Sequence, residues 1–131
     1  MLMRNDNPVL LAETSPRSAA DLAAMLQLLG YRPRLAGTPE TVLGVLRTEI
    51  VDTAVVAVEL TDRDRPMLAR LAALPSLRRL LAIGPPDAVS WELSARRAGA
   101  GVYLPRPVTL ERLTQALGVC PAAEVVQELQ M

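Results

Sequence analysis

The sequence predicts an α/β domain, a parallel sheet of five strands with helices on both faces. Three observations predict it. Short apolar runs rich in Val, Leu and Ile recur five times, each followed by a segment with apolar residues at helical spacing. The links between them are short and carry Gly, Pro, Ser, Thr and Asp. One run, Val51 to Leu60 (VDTAVVAVEL), is apolar almost throughout, as a central strand must be when helices cover both of its sides. Strands and helices that alternate in this way build a parallel sheet with right-handed crossovers.

In chain order, Pro8 to Ala12 is the first strand and stops at Glu13-Thr14. Ser15-Pro16 then supplies an N-cap and a first-turn proline, whose missing N–H costs nothing at that position. Ala19, Leu22, Leu26 and Leu29 form the inner stripe, and Gly30 closes the helix. Tyr31 to Ala36 alternates weakly, as an edge strand does. Thr38-Pro39-Glu40 opens a second helix with Val42, Val45 and Leu46 inward. The third strand is Val51 to Leu60, and Thr61 to Pro66 (TDRDRP) is a charged turn facing water. Met67 to Leu74 is a third helix, ended by Pro75. Leu77 to Ile83 enters the fourth strand, which Gly84-Pro85-Pro86 stops. Asp87 is expected to cap a fourth helix through Trp91, Ala95 and Ala98, broken by Gly99-Ala100-Gly101. Val102-Tyr103-Leu104 is the fifth strand. After Pro105-Arg106-Pro107, Thr109 opens a fifth helix with Leu110, Leu113 and Leu117 inward. The domain spans residues 8–118, and residues 119–131 form a C-terminal helix or linker, with an amphipathic piece from Ala122 to Leu129.

Composition narrows the chemistry. With 131 residues, 50% of them hydrophobic, the chain fits one domain with a full core. Its cations are all arginine, with no lysine and no histidine. Histidine acid/base chemistry, Schiff bases, lysine-bearing phosphate loops and histidine-ligated metals are thereby excluded. A single cysteine, Cys120, excludes an internal disulfide and a cysteine-cluster zinc site; it reads as a small apolar residue near a helix end. Zero net charge gives no general attraction for nucleic acid or anionic membrane. No apolar run approaches the roughly 20 residues that span a bilayer. The opening MLMRNDN is polar and unlike a signal peptide, so a cytoplasmic domain is expected.

In open parallel sheets, chemistry sits just past the carboxyl ends of the strands. At that end of the central strand stand Ala57, Val58 and Glu59. Ala98 to Pro107 (AGAGVYLPRP) resembles the AGAxxYLxKP segment of the receiver domains of bacterial two-component response regulators, and VLLAETSP and Asp52 to Leu60 fit that family's spacing without gaps. The resemblance runs from about Pro8 to Leu117. It implies a flavodoxin-like sheet of order 2-1-3-4-5. It also places the family's roles on particular residues here, and most of the needed chemistry is missing. The acid pair that holds magnesium falls on Glu13, still acidic, and Thr14, which is not. The phosphoacceptor aspartate falls on Ala57, the hydroxyl residue after the fourth strand on Gly84, and the lysine on Arg106. Tyr103, at the aromatic switch position, and Pro107, at the position of a cis proline, are retained.

Ala57 carries a methyl group and no nucleophile, so no acyl phosphate can form there. Magnesium demands several oxygens in near-octahedral geometry, and two of the charged ligands are gone. Glu59, extrapolated along the strand, points to the same side as Ala57 but about 6–7 Å further out, too far for in-line attack. It reads either as a solvated carboxylate or as one of two alternatives, Glu59 or Glu13, to pair with Arg106, whose guanidinium can hold a carboxylate through two hydrogen bonds. Tyr103 is expected in a fixed position, half-buried with its hydroxyl in water. Trp91 reads as core packing, or as a binding anchor if exposed beside Tyr103. Arg78-Arg79 and Arg96-Arg97 read as solvated element ends.

The expectation is a degenerate receiver that is not an enzyme and has no cofactor or metal. It would act by contact with a protein partner or a second copy, through the surface of the fourth helix, fifth strand and fifth helix. Two alternatives stand beside it: a receiver-like sensor of a small molecule, and a receiver phosphorylated on a displaced acid.

Overall fold

The computed structural model describes residues 8–61 and 66–118. Its strands are β1 (Pro8–Ala12), β2 (Arg32–Ala36), β3 (Thr53–Ala57), β4 (Arg79–Gly84) and β5 (Val102–Pro105). They form one parallel sheet of order β2-β1-β3-β4-β5. Ala12 pairs with Val56, Ala57 with Ile83 and Gly84 with Pro105, so the carboxyl ends of the inner strands finish along a common edge.

Side chains alternate between the faces of a strand, and the two cores follow that alternation. Leu10, Ala54, Val56, Leu80 and Ala82 pack with Val42 of α2 (Pro39–Thr48), Leu71 of α3 (Pro66–Ala72) and Ala95 of α4 (Val89–Ala98). Val9, Leu11, Val55, Leu81 and Ile83 pack with Leu22 and Leu26 of α1 (Pro16–Leu28) and with Leu113 and Leu117 of α5 (Leu110–Leu117). Every residue of β1 and β3 is buried, because helices cover both of its sides.

The capping residues act as their types predict. The Ser15 hydroxyl accepts from the Ser18 N–H at 3.4 Å, and the Thr109 hydroxyl from the Arg112 N–H at 3.2 Å. At α2 the exchange is reciprocal: Thr38 Oγ1 accepts from Thr41 N at 3.2 Å, and Thr41 Oγ1 accepts from Thr38 N at 3.0 Å. Threonine here fills the place usually held by Glu or Gln in a capping box. Gly99 (φ 120°) ends α4 and Gly118 (φ 63°) ends α5, in the left-handed region that favours glycine.

Several boundaries differ from the sequence reading. The third strand ends at Ala57, and Val58–Thr61 curls into a 3₁₀ turn. Val58 and Leu60 stay buried in that turn, so apolar character continued past the point where the strand stopped. Asp87 does not cap α4. It takes φ 55°, and Ala88, which has no side-chain oxygen, stands at the cap. Leu110 is 40% exposed, and Val108, just before the cap, packs against that core instead. Residues 62–65 of the charged turn and the tail beyond Gly118, Cys120 included, lie outside the described residues.

Candidate functional site

Three side chains from separate segments of the chain meet at the carboxyl edge of the sheet. Glu13 follows β1 and is tied to the edge strand, its N–H donating to Ala36 O at 3.1 Å. Glu59 rides on the 3₁₀ turn after β3. Arg106 follows β5, its N–H donating to Gly84 O at 2.9 Å. From there the Arg106 guanidinium reaches both acids. Nη1 donates to Glu59 Oε2 at 2.7 Å, and Nη2 donates to Glu59 Oε1 at 2.9 Å, a two-point contact that matches the planar fork to the carboxylate. The same Nη2 also donates to Glu13 Oε1 at 3.1 Å.

Glu13 is the buried member, with 2% of its side chain exposed. Burial of a carboxylate is tolerable only when its oxygens are paired. Oε1 accepts from Arg106 and from the Ser18 hydroxyl at 2.8 Å, and Oε2 accepts from the Ser15 N–H at 3.3 Å. The last two donors belong to the first turn of α1, where the helix dipole also favours negative charge. Ser18 was not singled out from sequence. Spaced three residues from Ser15 it reads only as part of a helix start, and its bond to Glu13 depends on how α1 sets down beside β1.

Glu59 is more open. Its partial burial pushes the carboxyl up, but the hydrogen bonds and charge of Arg106 outweigh that and hold it below its usual value. The Glu59 hydrogen bonds in turn raise the guanidinium further above its ordinary range, against the opposing effect of burial, with Glu13 adding to the rise. The extrapolation that carried Glu59 away from the site fails because the chain leaves the extended form at Val58. A 3₁₀ turn rises only about 2.0 Å per residue and turns, so the carboxylate swings toward Arg106.

The remaining positions give no reactive group. Ala57 is buried and carries only its methyl, and Thr14 is exposed. Among the described residues no group of three or more His, Cys, Asp or Glu side chains is placed to hold a metal ion. Gly84 is buried at the end of β4. Tyr103 is buried rather than half-buried, and its hydroxyl donates to Pro85 O at 2.9 Å. Burial, and then the nearby Glu59 charge, push its phenol up. Trp91 is half-buried and packs against the core cluster that contains Tyr103. The Arg106–Pro107 peptide bond is cis. Beside Arg106 a cleft of about 410 Å³ opens between α1 and the segment before α5, bounded by Arg17, Asp21, Met25 and Val108. Arg96 pairs with Glu92 at 3.0 Å and Arg79 donates to the Tyr31 hydroxyl at 3.2 Å, so these two arginines hold structural contacts.

No family model matches the sequence, and no curated protein matches it. Solved structures do match. A response regulator from Thermotoga maritima superposes with a TM-score of 0.77 at 18% identity, over 86% of this chain and 95% of that one. A response regulator from Burkholderia pseudomallei, solved with a phosphorylated aspartic acid, gives 0.75 at 26% identity, over 94% of this chain and 72% of that one. The receiver domain of a Pseudomonas aeruginosa sensor histidine kinase, solved with magnesium in its active-site cleft, gives 0.72 at 21% identity, over 86% and 98%. With its strand order and these superpositions, the chain has the fold of response-regulator receiver domains.

Proposed function

We propose that this protein is a receiver-like module of bacterial two-component signalling or transcription control that works in the cytoplasm by protein contact, without being phosphorylated. One observation carries the reading. The guanidinium of Arg106 closes on Glu59 and Glu13 at the sheet edge where the strand that should bear the acceptor ends in Ala57. An acyl phosphate needs a carboxylate nucleophile and a cation to gather phosphoryl oxygens. Here the nucleophile is a methyl group, and the acids at the edge already have their cation. The pocket is therefore complete in one state.

With no chemistry to drive it, the domain presents a constant surface. Val89, Leu93 and Leu110 leave apolar side chains in water on α4 and at the start of α5, which favours that face as the contact region. The test is incubation of the intact protein with acetyl phosphate and magnesium, followed by intact-mass measurement. The expected result is no added phosphoryl group. A gain of one phosphoryl group would overturn the reading in favour of a displaced acceptor. A second reading, a small-molecule sensor, draws on the cleft beside Arg106. A metabolite that raises the melting temperature of the wild type but not of an Asp21→Ala or Met25→Ala variant would favour it.

A further inference from the structure

Gly84 has no conformational reason to be glycine. Its φ is not in the left-handed region, and it lies in regular pairing opposite Pro105. Glycine in a strand weakens it relative to alanine, so what it offers must be space. That space is occupied. A β-carbon on residue 84 would collide with the Tyr103 hydroxyl oxygen, and would lie 2.9 Å from Tyr103 Cζ and 2.8 Å from Val58 Cγ2. Contacts this short do not occur between packed side chains, so a side chain at 84 and the present place of Tyr103 exclude each other. The inward ring is held at its far end as well, since its hydroxyl donates to the carbonyl of Pro85, the residue after Gly84. The Gly84 carbonyl, in turn, accepts from the Arg106 N–H, which ties this corner to the guanidinium clasp.

We propose that Gly84 is the positioning residue for Tyr103. The missing side chain opens the slot that the ring fills, and so fixes the β4–α4 corner and the neighbouring α4–β5 surface in a single, tyrosine-inward form. Placing any side chain at 84 turns the ring out toward solvent. The claim about the surface rests on the contact-based reading above. The claim about the ring does not, and it stands or falls whether or not the protein accepts a phosphoryl group.

The experiment is chemical nitration with residue-resolved mass spectrometry on the full chain, wild type against Gly84→Ser. Tyr31, buried on the opposite face of the sheet and bonded to Arg79, is the internal control. The expected result is nitration of Tyr103 faster by on the order of tenfold or more in the variant, with Tyr31 unchanged, since protection reports local opening. Equal Tyr103 rates in two folded proteins would overturn the proposal. A thermodynamic cycle covers the case in which the variant unfolds. The loss of melting temperature caused by Gly84→Ala should be clearly smaller in a Tyr103→Ala background; the Val58 contact is common to both arms and cancels in the difference, which reports the Tyr103 contact alone. The same loss in both backgrounds would overturn the proposal, as it would mean that residue 84 and Tyr103 do not compete for the same volume.

Discussion

Arg106 serves two carboxylates of unlike burial, and removing it would affect them differently. Glu13 would lose one of three donors while keeping Ser15 and Ser18, whereas Glu59 would lose both of its side-chain hydrogen bonds, which come from Arg106 alone. Arg106→Gln is expected to cost about 1–3 kcal/mol at neutral pH, discounted from a fully buried pair because Arg106 and Glu59 are partly open to solvent. The pH dependence has a defined sign. The folded Glu59 carboxyl is held below its usual value of 4.5, so its contribution is present above that value and is lost as pH falls through the folded one. Urea unfolding of wild type and variant across pH should give a stability gap that is full at pH 7 and narrows below about pH 4.5. A gap that stays constant on acidification would mean that the ion pair is not its source. At this scale the sequence was partly legible. Arginine in a lysine's place, with glutamates at two strand ends, was enough to suggest a pairing. Which acid it would choose was not legible, and both were chosen, because the 3₁₀ turn after β3 could not be told from continued strand. The competition between Gly84 and Tyr103 was invisible, since it depends on a ring reaching across from the next strand.

At the scale of single elements, helix starts were read better than strand ends. Ser15, Thr38 and Thr109 each cap the helix they precede, because a side-chain oxygen satisfies a local N–H whatever the tertiary context. Thr38→Ala is expected to destabilise the domain by about 1 kcal/mol in thermal unfolding, and Thr38→Ser by much less, since serine keeps the hydroxyl. Equal losses in the two variants would place the effect in the threonine methyl and not in the cap. Asp87 failed as a predicted cap because two prolines precede it and the chain must turn through a positive φ before α4 begins. Aspartate tolerates that conformation, so its presence marked a turn residue one position ahead of the cap. Val58 and Leu60 misled for another reason. Burial selects for apolar residues in a covered 3₁₀ turn as strongly as in a strand, and four residues are too few for a period to tell the two apart.

For the whole molecule, the alternation of five strands and five helices was legible because each unit carries its own period and its own stop signals. The order of the strands was not contained in any one segment. It came with the resemblance, and the sheet follows it. What the folded domain leaves uncovered is also a property of the whole. Val89 and Leu93 are one turn apart on α4, 68% and 48% exposed, and Leu110 at the start of α5 is 40% exposed; Leu28, Leu35 and Ile50 are exposed elsewhere on the domain. Val89→Glu combined with Leu93→Glu should leave thermal unfolding within about 0.5 kcal/mol of wild type, since neither side chain is in the core. In sedimentation velocity the wild type is expected to gain mass with concentration and the double variant to remain a monomer. A wild type that stays monomeric throughout would remove the second copy as the occupant of this face and leave a different protein in its place.

The cation paired with Glu13 and Glu59 is covalently part of the chain. A tethered group is present at an effective concentration that no dissolved ion in the surroundings sets. On the contact-based reading proposed above, a chelator or a change in free divalent metal is expected to leave the melting temperature of the domain unchanged. On that reading the domain carries information through how many copies exist and where they are held, as a fixed adaptor does.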